Sequence, residues 1–265
     1  MAKNKHIATW SCSRSRSTVI AHAFEQLEEC LLLDSPFYGP YVFHQGISLD
    51  APYRQEIIER FETDYAKVIE MIIGDLPEGR SFSFQRHIAR TALPQFGRNY
   101  LQYLNNFFLI RHPKEIILSW QQVQKRFGKL EEITSQDIGI DLLSNIFRDV
   151  KDITKNIPLV IESSDIIRNP RQVLKFLCNY FEIVFSEEML TWDQGLSKSK
   201  FLPDNFSSTS KDWSKTWYST IVNSTGFIPY KERETELTEE LVSLLEFCLP
   251  YYEKLLEHRV TFEML

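Results

Sequence analysis

The chain has 265 residues, 43% of them hydrophobic, enough to bury a sizeable core in a single α/β unit spanning residues 1–265. Its net charge of −6 and isoelectric point of about 5.6 set bulk electrostatics against nucleic acid and anionic membranes, so an anionic ligand has to be held by local arginines and helix ends. Four widely spaced cysteines with no CxxC pair suit buried thiols in a reducing cytoplasm, and no run approaches the about 18 apolar residues of a membrane span, so a cytoplasmic protein is expected.

Residues 6–24, HIATWSCSRSRSTVIAHAF, read as a short buried strand, a loop dense in hydroxyls and arginines, and a helix. The strand is Ile7, Ala8, Thr9 and Trp10, and Thr18 opens an apolar periodic run through Val19, Ile20, Ala23, Phe24 and Leu27. A helix N-terminus carries backbone N–H groups without intrahelical partners and the positive end of the macrodipole, which together attract an anion. Arg14 and Arg16 add charge-assisted donors, and Ser15, Ser17 and Thr18 add hydroxyls. A phosphate or sulfate group fits that set, and a capped helix with two solvated arginines fits these residues equally well. The glycines and lysine of GxxxxGK[ST] are absent, which argues against an ordinary ATP or GTP loop.

Cys30 to Leu33 read as a second strand leading into a Pro/Gly/Tyr loop. Ligands of open parallel sheets sit outside the carboxyl ends of the strands, so Asp34, Tyr38 and Tyr41 are candidates for the acceptor side of a cleft; a turn with surface tyrosines is the alternative. Residues 52–73 carry apolar positions at helical spacing and predict one amphipathic helix. Residues 81–85 alternate like a strand and lead to His87, whose imidazole, with an ordinary pKa of about 6.5, suits a general base. The clearest strand is residues 106–111, ending in Arg111, with Pro113 opening a helix that carries Ser119. A helix over 137–153, a strand over 158–162, and helices over 173–181 and 237–256 follow. The strand–helix alternation predicts a parallel sheet with right-handed crossovers.

Three segments and the tail carry a family resemblance. SRSRSTV resembles the 5′-phosphosulfate loop, PKSGTTW or PRSGST, of sulfotransferases that use 3′-phosphoadenosine 5′-phosphosulfate (PAPS), with Ser13 in place of the proline and Arg16 in place of the glycine. FLIRHPKEIILSW resembles the family's 3′-phosphate motif, in which a serine follows eight residues after the arginine, as Ser119 follows Arg111. QRHIARTALP resembles KTHLPxxLLP, whose histidine is the catalytic base. The tail, with MLTWDQG, WSKTWY and STGF, is similar to bacterial members, although SSTSKDW stands where many relatives carry RKGxxGxW.

The resemblance implies a three-layer, P-loop-like sulfotransferase fold, with a central parallel sheet flanked by helices. It implies PAPS as donor and 3′-phosphoadenosine 5′-phosphate (PAP) as product, with no metal required. Arg14 would face the leaving 5′-phosphate, Ser15, Arg16, Ser17 and Thr18 would surround the phosphosulfate, Arg111 and Ser119 would hold the 3′-phosphate, Lys211 would replace the missing lid charge, and His87 would be the base. The expected acceptor is a small molecule with a hydroxyl or amine or guanidine-type nitrogen; the acidic chain suits a cationic natural product such as a saxitoxin-like alkaloid. An ATP-dependent phosphotransferase and a non-catalytic nucleotide-binding protein remain open alternatives. No nucleic-acid or membrane partner is expected, and the sequence leaves the oligomeric state undetermined.

Overall fold

The computed structural model describes residues 5–45, 53–126, 128, 132–195, 217–231 and 236–262. The apolar runs become five strands, β1 (Lys5–Ser11), β2 (Cys30–Asp34), β3 (Phe82–Ile88), β4 (Asn105–Ile110) and β5 (Leu159–Glu162), in one sheet of order β2-β3-β1-β4-β5. Every neighbouring pair is parallel. A parallel sheet is covered on both faces, which is why its strands read as near-continuous hydrophobic runs.

In chain order the helices are α1 (Ser17–Glu25), α2 (Tyr38–His44), α3 (Arg54–Arg60), α4 (Tyr65–Ile73), α5 (Pro113–Arg126), α6 (Ser135–Ile138), α7 (Ile140–Thr154), α8 (Ser163–Arg168), α9 (Pro170–Tyr180), α10 (Ser219–Val222) and α11 (Glu239–Leu256). On one face of the sheet, Ile20 and Phe24 of α1 and Val173 and Leu177 of α9 pack with Ile7, Phe84, Phe107 and Ile161. On the other, Ile72, Ile117, Ile146 and Tyr252, from α4, α5, α7 and α11, pack with Trp10, Phe108 and Val160. The expected three-layer arrangement is therefore present.

Three local expectations need correction. The helix expected over residues 52–73 is two, α3 and α4, because Phe61 is extended and the Asp64 carboxylate accepts from the Ala66 and Lys67 backbone N–H groups at 2.8 and 3.4 Å, starting a new helix. The helix expected from residue 137 is broken at Gly139, whose φ of 70° ends α6 behind a Thr134–Asp137 capping box. The Pro/Gly/Tyr loop contains α2.

From β1 the chain runs outward to β2, returns to β3, then crosses to β4 and β5 on the other side of β1. The strand order thus reverses at β1, and the crevice outside the carboxyl ends of the strands opens there. No helix among the described residues is long and apolar enough to cross a membrane.

Candidate functional site

A cavity of about 480 Å³ lies at this carboxyl edge. Residues following four strands line it: Arg14 to Val19, except Ser15, after β1; Asp34 and Ser35 from β2; Ile88 and Arg90 from β3; and Arg111 after β4. The loop after β1 is unusual in its backbone. Arg14 and Arg16 both have φ of 65°, while Ser15 between them is not left-handed. An L-residue in this region costs about 1–2 kcal/mol, so Arg16, which stands where the resembling loops carry glycine, holds a conformation that glycine adopts freely. Alternation of this kind turns successive N–H groups toward one concavity, a form suited to anions.

The second motif locks onto the first. At the end of β4, Arg111 Nη1 donates to the Arg14 carbonyl at 2.5 Å. Arg14 in turn donates from Nε to the Ser119 hydroxyl at 3.1 Å and from Nη1 to the Trp217 carbonyl at 3.2 Å. Ser119 reaches the loop because Pro113 starts α5 directly beyond β4 and Ser119 lies on its buried side. Glu115 fixes the two remaining arginines: its Oε2 accepts from Arg111 Nε and from Arg16 Nη2, each at 2.8 Å, and its Oε1 accepts from the Tyr230 hydroxyl at 2.6 Å. Burial works to raise the Glu115 carboxyl, but the Tyr230 hydroxyl and the Arg111 and Arg16 charges outweigh it and hold it below its ordinary value. The Tyr230 ring also lies against Arg16 at 5.2 Å and Arg168 at 4.6 Å.

Across the cavity, the Asp34 carboxylate takes a bidentate contact from Arg86 Nε and Nη2 and accepts from the Tyr218 hydroxyl at 2.6 Å. Arg86 also donates to Ser35 Oγ at 2.9 Å and to Ser17 Oγ at 3.4 Å, tying β2 and β3 to the start of α1. Burial disfavours the Arg86 charge, yet Asp34 outweighs it and raises the guanidinium above its ordinary value. Burial and the adjoining Asp34 charge push the Tyr218 phenol well up. Asp34 is therefore engaged with a permanent cation.

Arg14, Arg16, Ser17, Thr18, Asp34, Tyr38, Arg111 and Ser119 are brought together around one cavity. Ser15 is in the loop but fully buried, and its hydroxyl has no partner among the described residues. Arg16 Nη1 is likewise buried without one. Two unspent buried donors in one loop are groups whose hydrogen bonds an anion would complete. Tyr41 does not line the cavity; its ring faces the Arg90 guanidinium at 5.7 Å. Lys211 lies outside the described residues.

His87 does not reach the cavity, contrary to the role expected of it as base. Side chains alternate along β3, and this register sends Phe84, Arg86 and Ile88 to one face and His87 to the other, opposite Trp10. There the imidazole is 1% exposed, stacks on the Trp10 ring at 4.4 Å, and has its Nε2 3.1 Å from Gln85 Oε1. Burial, aided by the Arg86 charge, pushes its pKa down to about 3. It is a neutral core group.

Sequence reasoning missed Arg86, Arg90, Glu115, Tyr218 and Tyr230. The strict alternation of Phe82, Phe84, Arg86 and Ile88 was a usable signal for Arg86. The tyrosines carry no local signal, because they meet Asp34 and Glu115 from 184 and 115 residues away.

The family model described as "Sulfotransferase domain" matches residues 5–259. Among curated proteins, the chain is 29% identical over 252 residues to "Branched-chain-amino-acid aminotransferase-like protein 2" of Arabidopsis thaliana, covering 95% of this chain and 41% of that protein. It is 28% identical to "Branched-chain-amino-acid aminotransferase-like protein 1" of the same plant, covering 97% of this chain and 43% of that one. The chain thus spans about two fifths of the length of these relatives. Among solved structures, the sulfotransferase from Alicyclobacillus acidocaldarius aligns over 97% of each chain with a TM-score of 0.54 at 11% identity, a likeness of fold. The "Sulfotransferase Domain from the Curacin Biosynthetic Pathway" aligns over 92% of this chain and 97% of its own with a TM-score of 0.45 at 17% identity. With the family model covering the sheet, both arginine motifs and the last helix, this chain belongs to the sulfotransferase family.

Proposed function

We propose that the protein transfers the sulfuryl group of PAPS to a small-molecule acceptor. The observation that carries this reading is the joining of two separate anion-binding motifs, Arg14 to Ser119 and Arg111 to the Arg14 carbonyl, at one end of one cavity. A donor with a 5′-phosphosulfate and a 3′-phosphate needs two such subsites, whereas a nucleoside triphosphate would use the lysine and glycines that the loop lacks. Bound there, PAPS supplies an activated sulfuryl group on a phosphate leaving group. Arg14 offers a permanent charge and a planar fork beside the leaving phosphate, stabilising charge there without donating a proton. Ser15, Arg16, Ser17 and Thr18 supply further donors around the phosphosulfate, and Arg111 and Ser119 hold the 3′-phosphate. The acceptor, a hydroxyl or nitrogen compound, takes the part of the cavity beside Asp34 and Tyr38.

A cationic acceptor is not part of this proposal. That expectation rested on the acidic chain and on carboxylates near the cavity mouth, of which Asp34 lines the cavity and is spent on Arg86 and Tyr218. The described lining otherwise carries six arginines and Lys231.

Thermal shifts with PAP, ADP and ATP plus magnesium test the donor. A ligand at 100 times its dissociation constant stabilises by about 2.7 kcal/mol. PAP alone should raise the melting temperature, and Arg111→Ala should cut the rise by about half or more; an equal shift with ATP would overturn the proposal.

A further inference from the structure

We infer that the acceptor carries a carboxylate, bound by Arg90 at the β3 end of the cavity. This rests on the reading above in one respect, the assignment of Arg14, Arg16 and Arg111 to the donor.

The other cavity arginines have hydrogen-bonding partners. Arg86 is held by Asp34, Arg111 and Arg16 by Glu115, Arg14 by Ser119 and the Trp217 carbonyl, and Arg126 by Ser219. Arg90 differs. It sits in the 3₁₀ turn Ala89–Thr91 directly after β3, lines the cavity and is only 9% exposed. Its Nε is buried with no partner among the described residues. Its one ionic neighbour among the described residues, Asp137, lies 3.5 Å from Nη1, and the other oxygen of that carboxylate is taken by the Thr134 backbone and hydroxyl at 2.9 and 2.8 Å. Two aromatic faces, Trp120 at 5.3 Å and Tyr41 at 5.7 Å, hold the guanidinium in place.

A buried guanidinium with an unspent donor is costly unless something completes its hydrogen bonds. The fork matches a carboxylate geometrically, and the aromatic faces keep it pre-oriented. Asp137 offsets part of the charge, which favours a single negative charge over the two of a phosphate. An ammonium or guanidinium ligand would meet like charge here. The acceptor is thus a hydroxy or amino acid in the broad chemical sense: one end receives the sulfuryl group and the other is anchored as a carboxylate.

Three probes that differ only in the tail test this: 4-hydroxyphenylacetate, its methyl ester and tyramine. Each is titrated into the PAP-saturated protein and into the nucleotide-free protein, and binding is followed by tryptophan fluorescence, since Trp120 touches Arg90 and lies 5.5 Å from Trp217. The acid should bind about tenfold or more tighter than the ester or the amine, the ratio expected from hydrogen bonds to a charged partner. Arg90→Gln should erase the preference while the PAP-induced melting shift persists, and Arg90→Lys should keep part of it. Equal or tighter binding of the ester or amine, acid binding unchanged in Arg90→Gln, or no saturable binding of the acid would overturn the inference. If Arg90→Gln does not fold, the wild-type ranking and Arg90→Lys decide. Loss of the PAP shift in the wild-type protein would count against the donor reading instead, while the nucleotide-free titrations still judge the carboxylate.

Discussion

The guanidinium Nε of Arg14 donates to the hydroxyl of Ser119 across 3.1 Å, joining the loop after β1 to a helix that begins after β4. Two motifs that the chain keeps 105 residues apart are therefore joined into one unit, the one to which the proposed donor is assigned. Charge-assisted hydrogen bonds of this kind are worth about 1.5–3 kcal/mol. Ser119→Ala should weaken PAP binding about tenfold by calorimetry, and Arg111→Ala by about tenfold to a hundredfold. Because Arg14 and Ser119 are in contact, the Arg14→Ala/Ser119→Ala double variant should lose less affinity than the two single losses summed. Strict additivity would show that the two motifs bind independently.

The legible part of this site is the part set by short-range pattern. An apolar run, then a basic residue, then a helix start marks the carboxyl end of a parallel strand, and Arg14 and Arg111 both follow that pattern. The strand alternation around His87 is equally legible, and it sets the imidazole on the face of β3 away from the cavity although the resemblance to the family's histidine motif and its strand-end position imply a base there. Gln85 and Ser83 share that face, and Gln85 Nε2 donates to the Ser83 hydroxyl at 3.0 Å. Asp34 was legible as a strand-end residue, but its engagement was not: its partners come from β3 and from the segment beside α10, and only the fold sets that meeting.

Arg16 gives a backbone test. With φ at 65° and ψ at 15°, it occupies the left-handed region in which a Cβ is penalised. Both Arg16→Ala and Arg16→Gly lose the 2.8 Å contact with Glu115 and the Tyr230 stack, so the difference between them isolates the backbone. The alanine variant should be the less stable by about 0.5–1 kcal/mol, after allowing for the greater entropy of an unfolded glycine. Urea unfolding of the two variants decides this; an alanine variant as stable as the glycine variant would show that the loop relaxes out of the left-handed conformation.

Asp34 and Tyr218 should separate in magnitude. Asp34 neutralises a buried arginine, so Asp34→Asn leaves the Arg86 charge uncompensated and should cost about 3–5 kcal/mol. Tyr218→Phe removes a hydrogen bond to a carboxylate that keeps Arg86, and should cost about 1.5–3 kcal/mol. Denaturant midpoints at neutral pH measure both. Similar costs for the two substitutions would mean that the Arg86 charge finds another counterion.

His87 makes a pH prediction whose sign follows from its burial. In the folded chain its pKa is about 3, and in the unfolded chain it returns to about 6.5. Below about pH 6.5 the unfolded chain takes up a proton that the folded chain refuses, so the stability present above that pH is lost as pH falls, by about 1.4 kcal/mol per pH unit, until the folded imidazole protonates near pH 3. His6, whose pKa burial also lowers, adds a loss of the same sign. His87→Phe retains an aromatic ring to stack on Trp10 and has nothing to titrate. It should lose about 1 kcal/mol at pH 7 with the Gln85 hydrogen bond, and lose less than the wild type on going from pH 7 to pH 5. Urea midpoints at pH 7, 6 and 5 compare the two slopes, and PAP binding should be the same in both proteins. Parallel slopes, or loss of PAP binding in the variant, would return His87 to the site.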